Sequence, residues 1–128
     1  MRAAALAALL LTPRLAAALD CADAKTQRAM DDCAVAAFKA ADARLNAAYA
    51  KARAAMQAID AGLSAPERGA EKALTAAQRA WIIVRDQTCT AEAYQYYGGS
   101  IAPLVFANCA ADLTAARTKV LTDMTEEN

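Results

Sequence analysis

The chain has 128 residues with 14 basic and 14 acidic side chains, four cysteines, one tryptophan and no histidine. That length allows a single domain. The lack of histidine removes the commonest general base, the usual metal ligand and the triad chemistries. No basic stripe interleaved with aromatics is present, which argues against nucleic-acid binding.

Residues 1–18 have the pattern of a secretory signal peptide. Arg2 gives a positive start, Ala3 to Leu11 form an apolar stretch, and Ala16-Ala17-Ala18 supply small residues for cleavage. The apolar stretch is too short to span a bilayer, and nothing later comes close. A lipid-modified cysteine follows a small residue, whereas Leu19-Asp20 precede Cys21. The expectation is a periplasmic or secreted protein, soluble after cleavage and not a lipoprotein. Cleavage takes Arg2 and Arg14 from the 14 basic residues and leaves 12 against 14 acidic ones, a weakly acidic mature chain.

Alanine richness favours helix throughout the rest. Thr26 is placed to cap a first helix that meets no Gly or Pro until about Asp60. Phe38, Leu45, Ala52 and Ile59 recur every seven residues, with Tyr49 and Met56 beside them, so one apolar stripe runs along it. Asp42 lies on that same face. Gly62-Leu63-Ser64 interrupts the pattern, and Ser64-Ala65-Pro66-Glu67 reads as a capping box opening a second helix that ends around Tyr97. Within it Gln78, Trp81, Arg85 and Cys89 share one narrow stripe, widened by Ile82 on one side and Val84 on the other. Polar groups aimed inward are costly unless they find partners, so the other helices must supply some. Gly98-Gly99-Ser100 is the sharpest turn signal. A third helix starting near Pro103 carries Val105, Phe106, Cys109, Leu113, Val120 and Leu121 inward. The fold class is therefore all-α, a small disulfide-stapled bundle of about three long helices in up-down hairpin topology.

Four cysteines in an exported chain read as two disulfides. A zinc site would favour close C-x-x-C pairs, which the chain lacks. Cys89 and Cys109 stand level across a hairpin closing at Gly98-Gly99, within reach of each other when helices pack about 8–10 Å apart. Cys89–Cys109 is the first pairing, and Cys21–Cys33 follows by elimination.

Taken in order, several elements resemble the LprI-type lysozyme-inhibitor domain family. They are Cys21, Thr26-Gln27 and Cys33; Ala41-Asp42, Leu45-Asn46 and Tyr49; Ala77-Gln78-Arg79-Ala80-Trp81, Arg85-Asp86 and Cys89; Gly98-Gly99-Ser100; and Cys109, Leu113-Thr114 and Arg117. Ala29-Met30-Asp31 departs from the glutamate and asparagine that usually flank that methionine in the family. The resemblance covers about Cys21 to Leu121 and assigns residues 19–128 to one LprI-like helical domain. It implies a small exported bacterial protein that binds and inhibits a lysozyme or a related cell-wall hydrolase. Against it stands a second class, an envelope interaction or scaffold module with no lysozyme target.

Two groups of residues could carry function. Asp42, Asn46, Gln78, Arg85, Asp86, Thr114 and Arg117 could line a cleft for a small anion or sugar. We read them instead as a structural polar network that fixes the register of alanine-rich helices. Asp42 and Asp86 do not suit a glycosidase pair, because Arg85 and Arg117 nearby would keep both ionised rather than separate their pKa values. No catalytic residue, metal or cofactor is assigned. The candidate partner-binding loop is Tyr94, Tyr96, Tyr97, Gly98, Gly99 and Ser100, where aromatics on a braced turn could anchor an interface. Its plainer reading is that the tyrosines cover the bundle end and the glycines turn the chain. The loop from Asp60 to Gly69, with Arg68, is the second surface.

Overall fold

The computed structural model describes residues 21–126. The signal peptide expected in residues 1–18 lies outside the described residues. Three helices follow one another: α1 (Gln27–Ala61), α2 (Ala70–Tyr94) and α3 (Ala102–Glu126). At 1.5 Å per residue the 35 residues of α1 extend about 52 Å. No strand occurs among the described residues.

Each helix end has a local cause. The Thr26 hydroxyl accepts the Ala29 N–H at 3.1 Å and starts α1. The start of α2 corrects the sequence reading. Ser64 and Glu67 do bond, Glu67 accepting the Ser64 N–H at 3.2 Å, but they close only a single 3-10 turn over Ala65–Glu67. Arg68 is then extended with ψ 137°, and α2 begins at Ala70. Its cap comes from the end of α1, where the Asp60 carboxylate accepts the N–H groups of Gly69, Ala70 and Glu71 at 2.9, 2.9 and 3.1 Å. A helix start carries four unpaired N–H donors. One carboxylate meeting three of them outweighs the capping box five residues earlier.

The other end of α2 also moves, from about Tyr97 to Tyr94. The N–H groups of Gln95, Tyr96 and Tyr97 bond the carbonyls three residues back, at 3.1, 3.0 and 3.1 Å. This tightening winds the chain into the turn, where Gly98 takes φ +82°, a left-handed conformation that costs glycine little.

Apolar contacts form two clusters with a polar layer between them. Toward the Gly62 end, Leu45, Ala52, Leu74 and Leu121 are buried, with Met56 and Trp81 packed against them. Toward the Gly98 end, Cys89, Cys109 and Ala110 are buried against Phe38, Phe106 and Leu113. The Cys89–Cys109 bridge ties α2 to α3 there, while Cys21–Cys33 ties the segment before α1 to its second turn. The buried stripes are narrower than expected. Ile59, Ile82, Val84 and Val120, all expected inward, are exposed. With alanine at so many contact positions the helices need only a thin seam to pack, and side chains 60° or more off its centre reach solvent.

Candidate functional site

The polar layer is built around Arg85, a buried guanidinium presented by α2. Its Nη1 donates to Asp42 of α1 at 3.4 Å and to the fully buried Thr114 hydroxyl of α3 at 3.3 Å. Its Nε donates to the neighbouring Asp86 at 2.8 Å. The guanidinium also lies 5.0 Å from the Phe38 ring centroid and 5.3 Å from that of Trp81. Charge, hydrogen bonds and two π faces thus compensate for taking it out of water.

A second branch joins Gln78 to Arg117, whose Nε donates to the Gln78 side-chain oxygen at 3.0 Å. The Arg117 guanidinium lies 5.9 Å from the Trp81 ring centroid, so the indole neighbours both arginines. Asn46 meets the layer only at its edge, through a 3.4 Å bond to Asp42 from the exposed side of α1. The seven residues are thus brought together in two branches linked by Trp81, a residue outside the expected network. Asp42 and Asp86 both answer to Arg85, and their side chains are 43% and 45% exposed, on the solvent side of the layer. The Arg85 branch satisfies its polar groups, while in the Arg117 branch Nη2 is buried without a hydrogen-bond partner among the described residues.

The Tyr94–Ser100 turn is different in kind. Tyr94, Tyr96 and Tyr97 are all exposed, Tyr97 at 82%. Tyr94 and Tyr97 stack with centroids 5.5 Å apart and planes 14° from parallel, consistent with an offset pair. Beside them a groove of about 360 Å³ runs between Thr90, Tyr97, Gly99, Pro103 and Phe106. The contribution of Phe106 and Pro103 from α3 was not foreseen, because nothing in the local sequence places them against the tyrosines. One residue before the groove begins on α2, Cys89 anchors the hairpin to α3. The platform is therefore preformed and carries no charge.

The loop between α1 and α2 is held by its own bonds. Arg68 Nε donates to the Leu63 carbonyl at 3.1 Å, and Glu71 accepts from Arg53 at 2.7 Å and Gln57 at 2.8 Å. Backbone N–H groups, that of Gly69 first, hold the Asp60 carboxyl below its ordinary value. The Arg53 bond does the same for Glu71. These charges serve the helix junction. Among the described residues no group of three or more His, Cys, Asp or Glu could hold a metal ion. No helix among them is long and apolar enough to cross a membrane.

Comparison with known proteins adds a family. The model of the family described as lysozyme inhibitor LprI matches residues 20–121. An uncharacterized protein of Rhizobium meliloti (strain 1021) is 42% identical over 110 residues, covering 84% of this chain and 79% of its own length. No solved structure matches.

Proposed function

The chain belongs to the lysozyme inhibitor LprI family, and on that premise we propose that it is an exported protein that binds and inhibits a lysozyme or a related cell-wall hydrolase. It acts by occlusion, with no chemistry of its own. The observation that carries the reading is the Tyr94–Tyr97 stack on the Gly98 turn, an exposed aromatic platform beside a preformed groove. A glycoside hydrolase cleft is concave and lined by carboxylates. A rigid turn with exposed tyrosine hydroxyls can enter such a cleft with little ordering cost. Tyrosine is also among the residue types enriched as interface anchors. The polar layer around Arg85 holds α2 and α3 so that the turn keeps its shape.

The test is a muramidase assay with purified, oxidised mature protein against several lysozyme classes. Inhibition at micromolar concentration is expected, weakened at least about tenfold by Tyr97→Ala, the size of a modest interface anchor. Because Tyr97 is 82% exposed, that variant keeps its helical circular dichroism and melting temperature. Absence of inhibition at micromolar excess against every class would leave the envelope interaction module standing.

A further inference from the structure

The outer face of α2 is a strip without charge. On the helical wheel it runs from Ala73 through Ala80, Ile83, Val84 and Gln87 to Tyr94, directly opposite the buried stripe that carries Gln78, Arg85 and Cys89. Every one of these outer residues is exposed, Ile83 at 64% and Val84 at 60%. Ile83 and Val84 stand side by side on this face, among alanines and the longer Gln87 and Tyr94, and neither α1 nor α3 covers them.

We propose that a second copy of this chain covers it, in a two-fold, antiparallel α2–α2 dimer. The strip is self-complementary about a point between Ile83 and Val84. With the axis there, Ile83 of one copy meets Val84 of the other, Ala80 meets Gln87, and Ala73 meets Tyr94, so each large side chain is set against a smaller one. An isologous interface requires this kind of self-match, and a strip built for an unrelated partner has no need of it. The charges on the strip's edge agree. Lys72, Arg79 and Asp86 lie along the same edge at seven-residue spacing, and the two-fold brings Arg79 of each copy near Asp86 of the other while Lys72 faces solvent beyond them. No like charges are brought together. Arg79 makes no ion pair within its own chain among the described residues, and the Asp86 side chain is 45% exposed, free to accept a second cation beside Arg85.

The area sets the strength. Twenty-two residues of helix are about 33 Å long, and a face about 10 Å wide gives a footprint of about 330 Å² per copy, about 660 Å² over both, below the roughly 1,000 Å² that a stable specific interface clears. The dimer is accordingly a weak one, with a dissociation constant in the micromolar range. Its geometry leaves the Tyr97–Ser100 turns uncovered at opposite ends and does not depend on the inhibitor reading. It does cover Tyr94, one ring of the Tyr94–Tyr97 stack, so the dimer and a bound hydrolase compete for that ring.

Sedimentation equilibrium of the mature, oxidised protein from about 1 μM to 1 mM tests the proposal. The expected result is a mass rising toward twice the monomer's, with Ile83→Lys weakening association at least about thirtyfold and Arg79→Glu about threefold to tenfold. Both positions are exposed, so the variants keep the wild-type melting curve at a concentration where all are monomeric. A mass that stays monomeric throughout overturns the proposal. So does a dimer indifferent to Ile83→Lys, which would place the interface on another face.

Discussion

Arg85 is the residue on which the three helices agree, and its partners are unequal. Thr114 is fully buried and depends on the guanidinium as a donor, whereas Asp42 is 43% exposed and sits at 3.4 Å. A half-exposed ion pair at that distance contributes about 0.5–1 kcal/mol. Losing the donor to a buried hydroxyl, together with the packing on Phe38 and Trp81, costs more. Arg85→Leu should therefore destabilise by about 2–3 kcal/mol and Asp42→Asn by under about 1 kcal/mol. A double-mutant cycle in urea should give a coupling of about 0.5 kcal/mol. Coupling near zero would show that Asp42 answers to solvent and that Thr114 and the rings hold Arg85. The inward aim of Arg85 was legible, because its spacing from Gln78 and Cys89 puts it on the buried stripe. The part played by Trp81, an indole 5.3 and 5.9 Å from two guanidiniums, was not. Spacing gives the face of a helix but not the distance across to Arg117.

At the scale of elements, the junction of α1 and α2 rests on Asp60. Its carboxyl is held below the ordinary 3.8 by the Gly69, Ala70 and Glu71 N–H groups. A carboxylate with a lowered folded pKa stabilises fully above its unfolded value and loses that contribution as pH falls through the folded one. Asp60→Ala should lower the melting temperature by several degrees at pH 7. The gap between variant and wild type should close as pH drops below 3.8. A gap unchanged down to pH 2 would mean that the carboxylate is not the cap. This element was misread because Ser64 and Glu67 satisfy a local pattern, while the actual cap is a carboxylate at the end of the preceding helix. Local motifs win only where no tertiary donor or acceptor competes. The hairpin between α2 and α3 was easier to read, since Cys89 and Cys109 stand at nearly equal distances from Gly98-Gly99 and the structure joins them. Bridging a separation of 20 residues constrains the unfolded chain by about 3 kcal/mol. Replacing Cys89 and Cys109 by alanine should cost about that much in chemical denaturation. Replacing Cys21 and Cys33 should cost less than the loop entropy alone suggests, because Cys21 is exposed and its bridge ties down only the segment before α1.

Over the whole molecule, charge separates the two surfaces that could meet a hydrolase. The mature chain, with 12 basic and 14 acidic residues after the expected cleavage, has little long-range field to steer a partner. The Tyr94–Ser100 turn carries no charge, while the loop between α1 and α2 offers Arg68 as an exposed cation. Exposed ion pairs weaken as salt shortens the Debye length from about 14 Å at 50 mM to about 6 Å at 300 mM. Stacking and hydrogen bonds from a neutral turn do not. If the tyrosine turn binds, the inhibition constant should change less than about threefold over that salt range, with Arg68→Ala neutral and Tyr97→Ala harmful. If the Arg68 loop binds, inhibition should fall steeply with salt and Arg68→Ala should carry the loss. Salt titration of the wild type and both variants reads the choice directly, because neither substitution touches the buried layer that holds the bundle together.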